Sequence, residues 1–210
     1  MKLAEIAGFK TVPNGLVRSS SGEWIYITQR IDRKNDGSTT IKVPMEDFAQ
    51  LSETQTEYKY NGSYERCAKK VIDRFSSTAS LDKILFFKMV FFSYVIGNTD
   101  MHLKNFSLIK TEDGYSLSPF YDILPVLMVV NQNEMALTVN GKNKRLTKKD
   151  FLCFGESIGL SKGLSLSLIA LILGKSEEML SFIRESPLPQ EKQDGLIALI
   201  QDRMAPFFGE

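Results

Sequence analysis

The sequence has very little of the material from which the simplest metal and redox sites are built. There is one histidine, His102, and there are two cysteines, Cys67 and Cys153, in 210 residues. A single histidine excludes a multi-histidine zinc site, and with no G-x-S-x-G elbow present it also argues against a Ser-His-Asp hydrolase. The cysteines belong to no ligand-spaced cluster and lie in apolar or mixed surroundings. Both are expected as buried free thiols, which fits a reducing cytoplasm. Long apolar runs are missing too: the strongest candidate, residues 84–96, contains Lys88 and is too short to span a bilayer. Residues 1–9 carry Lys2 and Glu5 with no long apolar region behind them, so neither a secretory leader nor a membrane anchor is expected. Charge of one sign is not in excess, with 26 Lys and Arg against 25 Asp and Glu. Direct binding to nucleic acid or an anionic membrane is therefore not expected, and any anion site must be local.

What is present is enough apolar material, 43% of the chain, for one good-sized core. Residues 1–7 have helical spacing (Leu3, Ile6, Ala7) and stop at Gly8. Residues 15–18 and 24–30 read as two strands about a Ser-Ser-Ser-Gly turn, because WIYITQ is rich in aromatic and β-branched residues. After the polar stretch 30–39, Pro44 is expected to open a short helix through Leu51, and Ser63 to cap another running to about Arg74. Ser80 is expected to cap the most hydrophobic helix, 81–96, whose apolar residues go almost all the way round, the pattern of a helix buried inside a lobe; Gly97 ends it. FSLIK and YSLSP alternate about Thr111-Glu112-Asp113-Gly114 and read as a small hairpin. The remainder reads as helical, with a capping box at Thr147 to Asp150, a short buried helix at 164–173 and an amphipathic one at 191–208.

The segment between the buried helix and the hairpin carries the chemistry. Gly97-Asn98-Thr99-Asp100-Met101-His102-Leu103-Lys104-Asn105-Phe106 sets polar and charged residues between two apolar elements. Asp100 and Asn105 have the spacing D-x-x-x-x-N, by which kinase catalytic loops put a base beside the substrate hydroxyl and a metal ligand beside the phosphates. Asp122 follows in Phe120-Tyr121-Asp122-Ile123-Leu124, just after the hairpin, where kinases carry the Mg²⁺-binding aspartate. One amide oxygen and one carboxylate, completed by phosphate oxygens and waters, suffice for Mg²⁺. Taken singly, Asp100 and Asn105 also read as turn residues, His102 as a structural loop histidine and Lys104 as a solvated surface lysine. Their joint occurrence favours the functional reading, with Lys104 placed to meet phosphate as a point charge.

These residues resemble a known family. GNTDMHLKNFSLI followed by SPFYDILP is similar to the catalytic loop and metal segment of the HipA family, the kinase toxins of HipA/HipB toxin–antitoxin systems. YITQRIDR resembles that family's hinge strand, and MEDFAQL, KYNGSYE and LTVNGKNKRLTKKDF resemble phrases of its C-lobe, so the likeness reaches from residue 1 to about 160. It implies an α+β, mostly α fold: a protein-kinase-like C-lobe with a small helix-plus-β-hairpin remnant of the N-lobe. The implied division is 1–33 as remnant and hinge and 34–210 as helical lobe, with the catalytic loop at 97–106 and the metal segment at 119–125. It implies transfer of the ATP γ-phosphoryl group to a protein serine with Mg²⁺. Asp100 becomes the catalytic base and Asn105 and Asp122 the metal ligands. His102, Lys104, Asn105, Tyr121 and Asp122 would line the ATP and transfer site, and Gln29, Arg30 and Ile31 would meet the adenine. Gln29 and Ile31 depart from the commoner hinge residues, Glu or Lys and Phe.

A larger departure lies at the front. The family's glycine-rich phosphate loop, autophosphorylated serine and nucleotide-binding lysine would all precede the first helix; Gly8, Gly15 and Gly22 are too dispersed to form such a loop, and neither Lys2 nor Lys10 lies on a strand after one. The expectation is a truncated product, a kinase whose other lobe is a separate N-lobe protein, or a degenerate kinase. The alternative to an active enzyme is an inert kinase-like lobe that binds a HipB-like antitoxin or a complementing N-lobe. Operator DNA would be reached only through the antitoxin.

Overall fold

The computed structural model describes residues 1–35, 37–130 and 135–208. Helix and strand are mixed, with about 47% of the chain helical. Helix α5, Ala79–Val95, is the axis of the core. Phe86, Phe87, Phe91 and Phe92 are all fully buried. Burying one such side chain stabilises by about 1.5–3 kcal/mol, so this one helix outweighs any single polar contact in the fold. Around it pack Phe48, Tyr64, Phe106, Phe151, Phe154 and Phe207, with ring centroids 4.9–6.4 Å apart in mostly edge-on or tilted pairs.

Helix α1, Lys2–Ile6, sends Ala4 into this core, as Ala7 and Phe9 do just beyond it, and Gly8 follows at φ +80°, a conformation that only glycine adopts without strain. Strands β1, Asn14–Arg18, and β2, Trp24–Thr28, form an antiparallel hairpin, and β3, Arg33–Asn35, pairs with β4, Thr40–Lys42. Strand β5, Met45–Asp47, pairs with β6, Ser107–Thr111, which pairs in turn with β7, Gly114–Leu117. Short helices α2, Phe48–Leu51, α3, Tyr64–Cys67, and α4, Asp73–Phe75, precede α5; α6, Lys148–Ser157, α7, Lys162–Leu173, α8, Ser176–Arg184, and α9, Gln190–Met204, complete the helical side. Asp82 in the first turn of α5 accepts from Ser76 Oγ at 2.6 Å and from the Leu117 amide at 2.8 Å, which ties the buried helix to β7.

Several local expectations hold and several do not. The box at Thr147 is present, its side chain accepting from the Asp150 amide while Asp150 reaches back to the Thr147 amide. Pro44 opens no helix: residues 45–47 extend to pair with β6, and Asp47 caps α2 through the Gln50 amide. Cross-strand pairing overrode a weak helix-start signal. The helix from Ser63 is interrupted by a π turn at Ala68–Ile72, and α5 starts at Ala79 rather than after Ser80. The polar stretch after Arg30 holds the β3–β4 hairpin, which has too little apolar alternation to be read from sequence. Cys67 is a buried free thiol, its pKa pushed up to about 12 by burial, but Cys153 is partly exposed.

Gly97 ends α5 at φ +71°, and a Cβ there would stand 2.6 Å from Leu199 Cδ2 and 3.1 Å from Leu127 Cδ1. Gly97→Ala adds left-handed strain to overpacking, so urea unfolding is expected to show a loss of about 2 kcal/mol or more. An unchanged midpoint would show that the helix end relaxes freely.

Candidate active site

Helix α5 delivers the chain into a polar loop that the core grips from below. Met101 is buried and its carbonyl accepts from Tyr64 Oη at 3.0 Å. The Leu103 amide donates to the Lys59 carbonyl at 3.2 Å, and the Leu127 amide to the Gly97 carbonyl at 3.2 Å. Within the loop, Asn105 Nδ2 donates to the Asp100 carbonyl at 2.8 Å. The Asp100 and Asn105 side chains are thus held by one short turn of chain. Asn105 is buried, and its Oδ1 has no hydrogen-bond donor among the described residues.

The Asp100 carboxylate is 41% exposed; Oδ1 accepts from Tyr60 Oη at 2.6 Å and lies 3.9 Å from His102 Nε2. His102 is buried and packs edge-on against Tyr60, ring centroids 4.9 Å apart. Its Nδ1 accepts from the Lys104 amide at 3.3 Å. In the neutral ring this leaves the proton on Nε2, facing Asp100. Burial lowers the His102 pKa below its ordinary value; the nearby Asp100 charge acts the other way and is the smaller influence.

The segment around Asp122 is fixed from two sides. The Phe120 amide donates to the Lys10 carbonyl at 2.9 Å, and the Val12 amide donates to the Phe120 carbonyl at 3.1 Å. Tyr121 Oη stands 2.7 Å from Ser107 Oγ and donates to the Lys104 carbonyl at 3.1 Å; burial raises its pKa. Asp122 is exposed, at φ +53°. That left-handed conformation is uncommon outside glycine, and asparagine and aspartate tolerate it best.

A cleft of about 410 Å³ runs between the β2 end and these segments. Of the expected site residues it gathers Gln29, Arg30, Ile31, Lys104, Tyr121 and Asp122. Asp100, His102 and Asn105 are not among its lining and form a second group on the same loop as Lys104. Lys104 Nζ pairs with Asp47 Oδ2 at 3.1 Å. Arg30 forks onto Asp32, Nε to Oδ1 at 2.9 Å and Nη2 to Oδ2 at 2.7 Å, and this hydrogen-bonded pairing holds the Asp32 carboxyl down at about 2. Among the described residues no three His, Cys, Asp or Glu side chains cluster as a metal site. Asn105 Oδ1 and the Asp122 carboxylate are hard oxygen donors of the kind Mg²⁺ takes, the first on a buried side chain and the second exposed on the cleft.

Residues 1–184 match the family model described as HipA-like C-terminal domain. The chain belongs to that family. It is 26% identical over 98% of its length to a Haemophilus influenzae protein named "Putative kinase", covering 67% of that protein. It is 31% identical over 70% of its length to a Sinorhizobium fredii protein of the same description, covering 34% of it. Among solved structures, the HipA chain of the Shewanella oneidensis HipA, HipB and operator DNA complex superposes with a TM-score of 0.82 at 18% identity, over 99% of this chain and 55% of that one. The Helicobacter pylori proinflammatory kinase CtkA gives 0.65 at 14% identity, over 98% of this chain and 77% of that one. At those identities the likeness is one of fold, and this HipA-like chain spans about a third to two thirds of its curated relatives.

Among the side chains that touch the expected site residues and were not singled out from sequence are Tyr60, on Asp100, and Asp47, on Lys104. Both sit in phrases that carry the HipA resemblance, KYNGSYE and MEDFAQL, but nothing local says that they reach residues 40 and 57 positions away.

As the only histidine, His102 gives a single imidazole signal in an NMR titration. Its midpoint is expected below the ordinary value of about 6.5. With the folded pKa depressed, the unfolded chain binds the proton more readily. The associated stability is complete above about pH 6.5 and is lost as pH falls through the folded value. Asp100→Asn is expected to lower the midpoint further, and a rise would contradict the geometry.

Proposed function

We propose that this HipA-like chain is the catalytic lobe of an ATP- and Mg²⁺-dependent protein serine/threonine kinase of toxin–antitoxin type. The observation that carries the reading is the hydrogen bond from Asn105 Nδ2 to the Asp100 backbone carbonyl, which fixes the two ends of D-x-x-x-x-N against each other, Asn105 Oδ1 having no donor among the described residues. Asp100 acts as base toward the substrate serine hydroxyl. Asn105 and Asp122 hold Mg²⁺, which supplies charge neutralisation at the phosphates when bound. The cleft walled by Gln29 to Ile31 takes the nucleotide, with Tyr121 and Lys104 on its opposite side. Lys104 meets phosphate by exchanging its Asp47 partner. His102, neutral and buried, orients the loop.

The functional division places residues 1–33 with the nucleotide-side lobe and 34–210 with the catalytic lobe. A HipB-like antitoxin is the proposed partner, supported by the complex in which the Shewanella HipA was solved. A second reading, a lobe that does no chemistry until a separate N-lobe protein completes it, is favoured by the β1–β2 hairpin. Every residue of β2 and all but the first of β1 are exposed, including Leu16, Val17, Trp24, Ile25, Tyr26 and Ile27. A two-stranded hairpin of that composition needs a covering layer to be stable in water.

Calorimetric titration of the chain with a non-hydrolysable ATP analogue and Mg²⁺ distinguishes the readings. Asp122→Asn keeps a residue that tolerates φ +53°, so the fold is expected to be unchanged. Affinity is expected to fall at least about tenfold, since loss of even an outer-shell partner of a metal has that effect. Equal binding by the variant would remove Asp122 from the metal site; no binding by either protein would favour the lobe that awaits a partner.

A further inference from the structure

The Asp100 carboxylate is not symmetric in its surroundings. Tyr60 Oη donates to Oδ1 at 2.6 Å, and His102 Nε2 faces the same oxygen at 3.9 Å. Oδ2 has no donor among the described residues, although the side chain is 41% exposed. A carboxylate bound through one oxygen, with the other open, is an oriented acceptor. The orienting side chain is itself anchored: its neighbour Lys59 accepts from the Leu103 amide at 3.2 Å, so the Tyr60 loop is stitched to the catalytic loop it serves. The Tyr60 ring, 45% exposed, also meets the His102 ring edge-on at 4.9 Å and has the Lys59 ammonium 5.1 Å from its centroid.

We propose that Tyr60 is a positioning residue for phosphoryl transfer: it holds Asp100 by Oδ1 so that Oδ2 meets the acceptor hydroxyl. The inference rests on the reading of Asp100 as the base. In the step it serves, the acceptor oxygen forms a bond to the γ-phosphorus, the β–γ bridging bond breaks with its electrons to ADP, and the hydroxyl proton passes to Asp100 Oδ2. Tyr60 gives up no proton. Burial, and then the hydrogen bond and charge of Asp100, raise its pKa to about 12, so at neutral pH it remains the donor. The fixed donor leaves the carboxylate one orientation instead of several, which is the entropy that positioned groups save in the transition state.

Two measurements on the full chain test this. The first does not depend on turnover: the three-bond couplings of Asp100 report its χ1 rotamer, expected single in the wild type and averaged in Tyr60→Phe. The phenylalanine ring should still shift the His102 imidazole protons, which certifies that the loop is folded. The second is transfer from ATP with Mg²⁺ to myelin basic protein, a serine-containing probe acceptor. Tyr60→Phe is expected to lower kcat about tenfold with KM for ATP unchanged, since slight misplacement of a reacting group has effects of that order. A single Asp100 rotamer in a folded Tyr60→Phe protein overturns the proposal and leaves the base assignment standing. Undiminished transfer by Asp100→Asn overturns the base assignment, and the role of Tyr60 with it.

Discussion

The site depends on where α5 stops. A helix apolar on nearly all sides has to be enclosed by other elements, and the chain that leaves it must turn at once without exposing the core. Gly97 makes that turn at φ +71° in a space closed by Leu199 and Leu127. Because α9 and the segment after Asp122 supply those two leucines, the end of the buried helix, the helical side of the lobe and the segment that follows Asp122 meet at one glycine. The polar loop that follows is therefore placed by packing rather than by its own sequence.

Placing a polar loop on an aromatic core has a cost that most of its groups avoid. Asn98 Oδ1 accepts from the Asp100 amide, His102 Nδ1 from the Lys104 amide, and Asn105 Nδ2 donates to the Asp100 carbonyl. Asn98 Nδ2 and Thr99 Oγ1 are the exceptions, buried without a protein partner. A group left so costs about 1–3 kcal/mol. That two of the three such atoms among the described residues belong to the two residues just before Asp100 fits a loop shaped for a site rather than for stability.

Charge in the cleft is arranged as exchangeable pairs. Lys104 is held by Asp47, and Arg30 by Asp32, so the two cations beside the cleft are neutralised locally instead of facing each other across it. Exposed pairs of this kind contribute little to stability, and a phosphate can compete for either cation without unfolding anything. The nearly balanced composition is thus compatible with a local anion site.

Much of the fold was legible from the chain alone. The period of α5, the Thr147 box, the Gly8 stop and the alternation on either side of Thr111 to Gly114 are local signals, and each produced its element. The family was legible too, carried by contiguous phrases that the HipA-like C-terminal domain match bears out, and the same phrases supplied Asp100, Asn105 and Asp122 as the candidates on which the proposed site is built. What only the tertiary structure decided are the relations between distant segments. Residues 45–47 became a strand because β6 lay beside them, Tyr60 reached Asp100 because its loop is tied to Leu103, and Lys104 found Asp47 rather than solvent. The expected site residues also divided into two groups, one lining the cleft and one outside its lining. Sequence encodes periodicity and spacing within an element through backbone geometry; it does not encode which side chains meet across the core, because those contacts are chosen by packing of the whole chain at once.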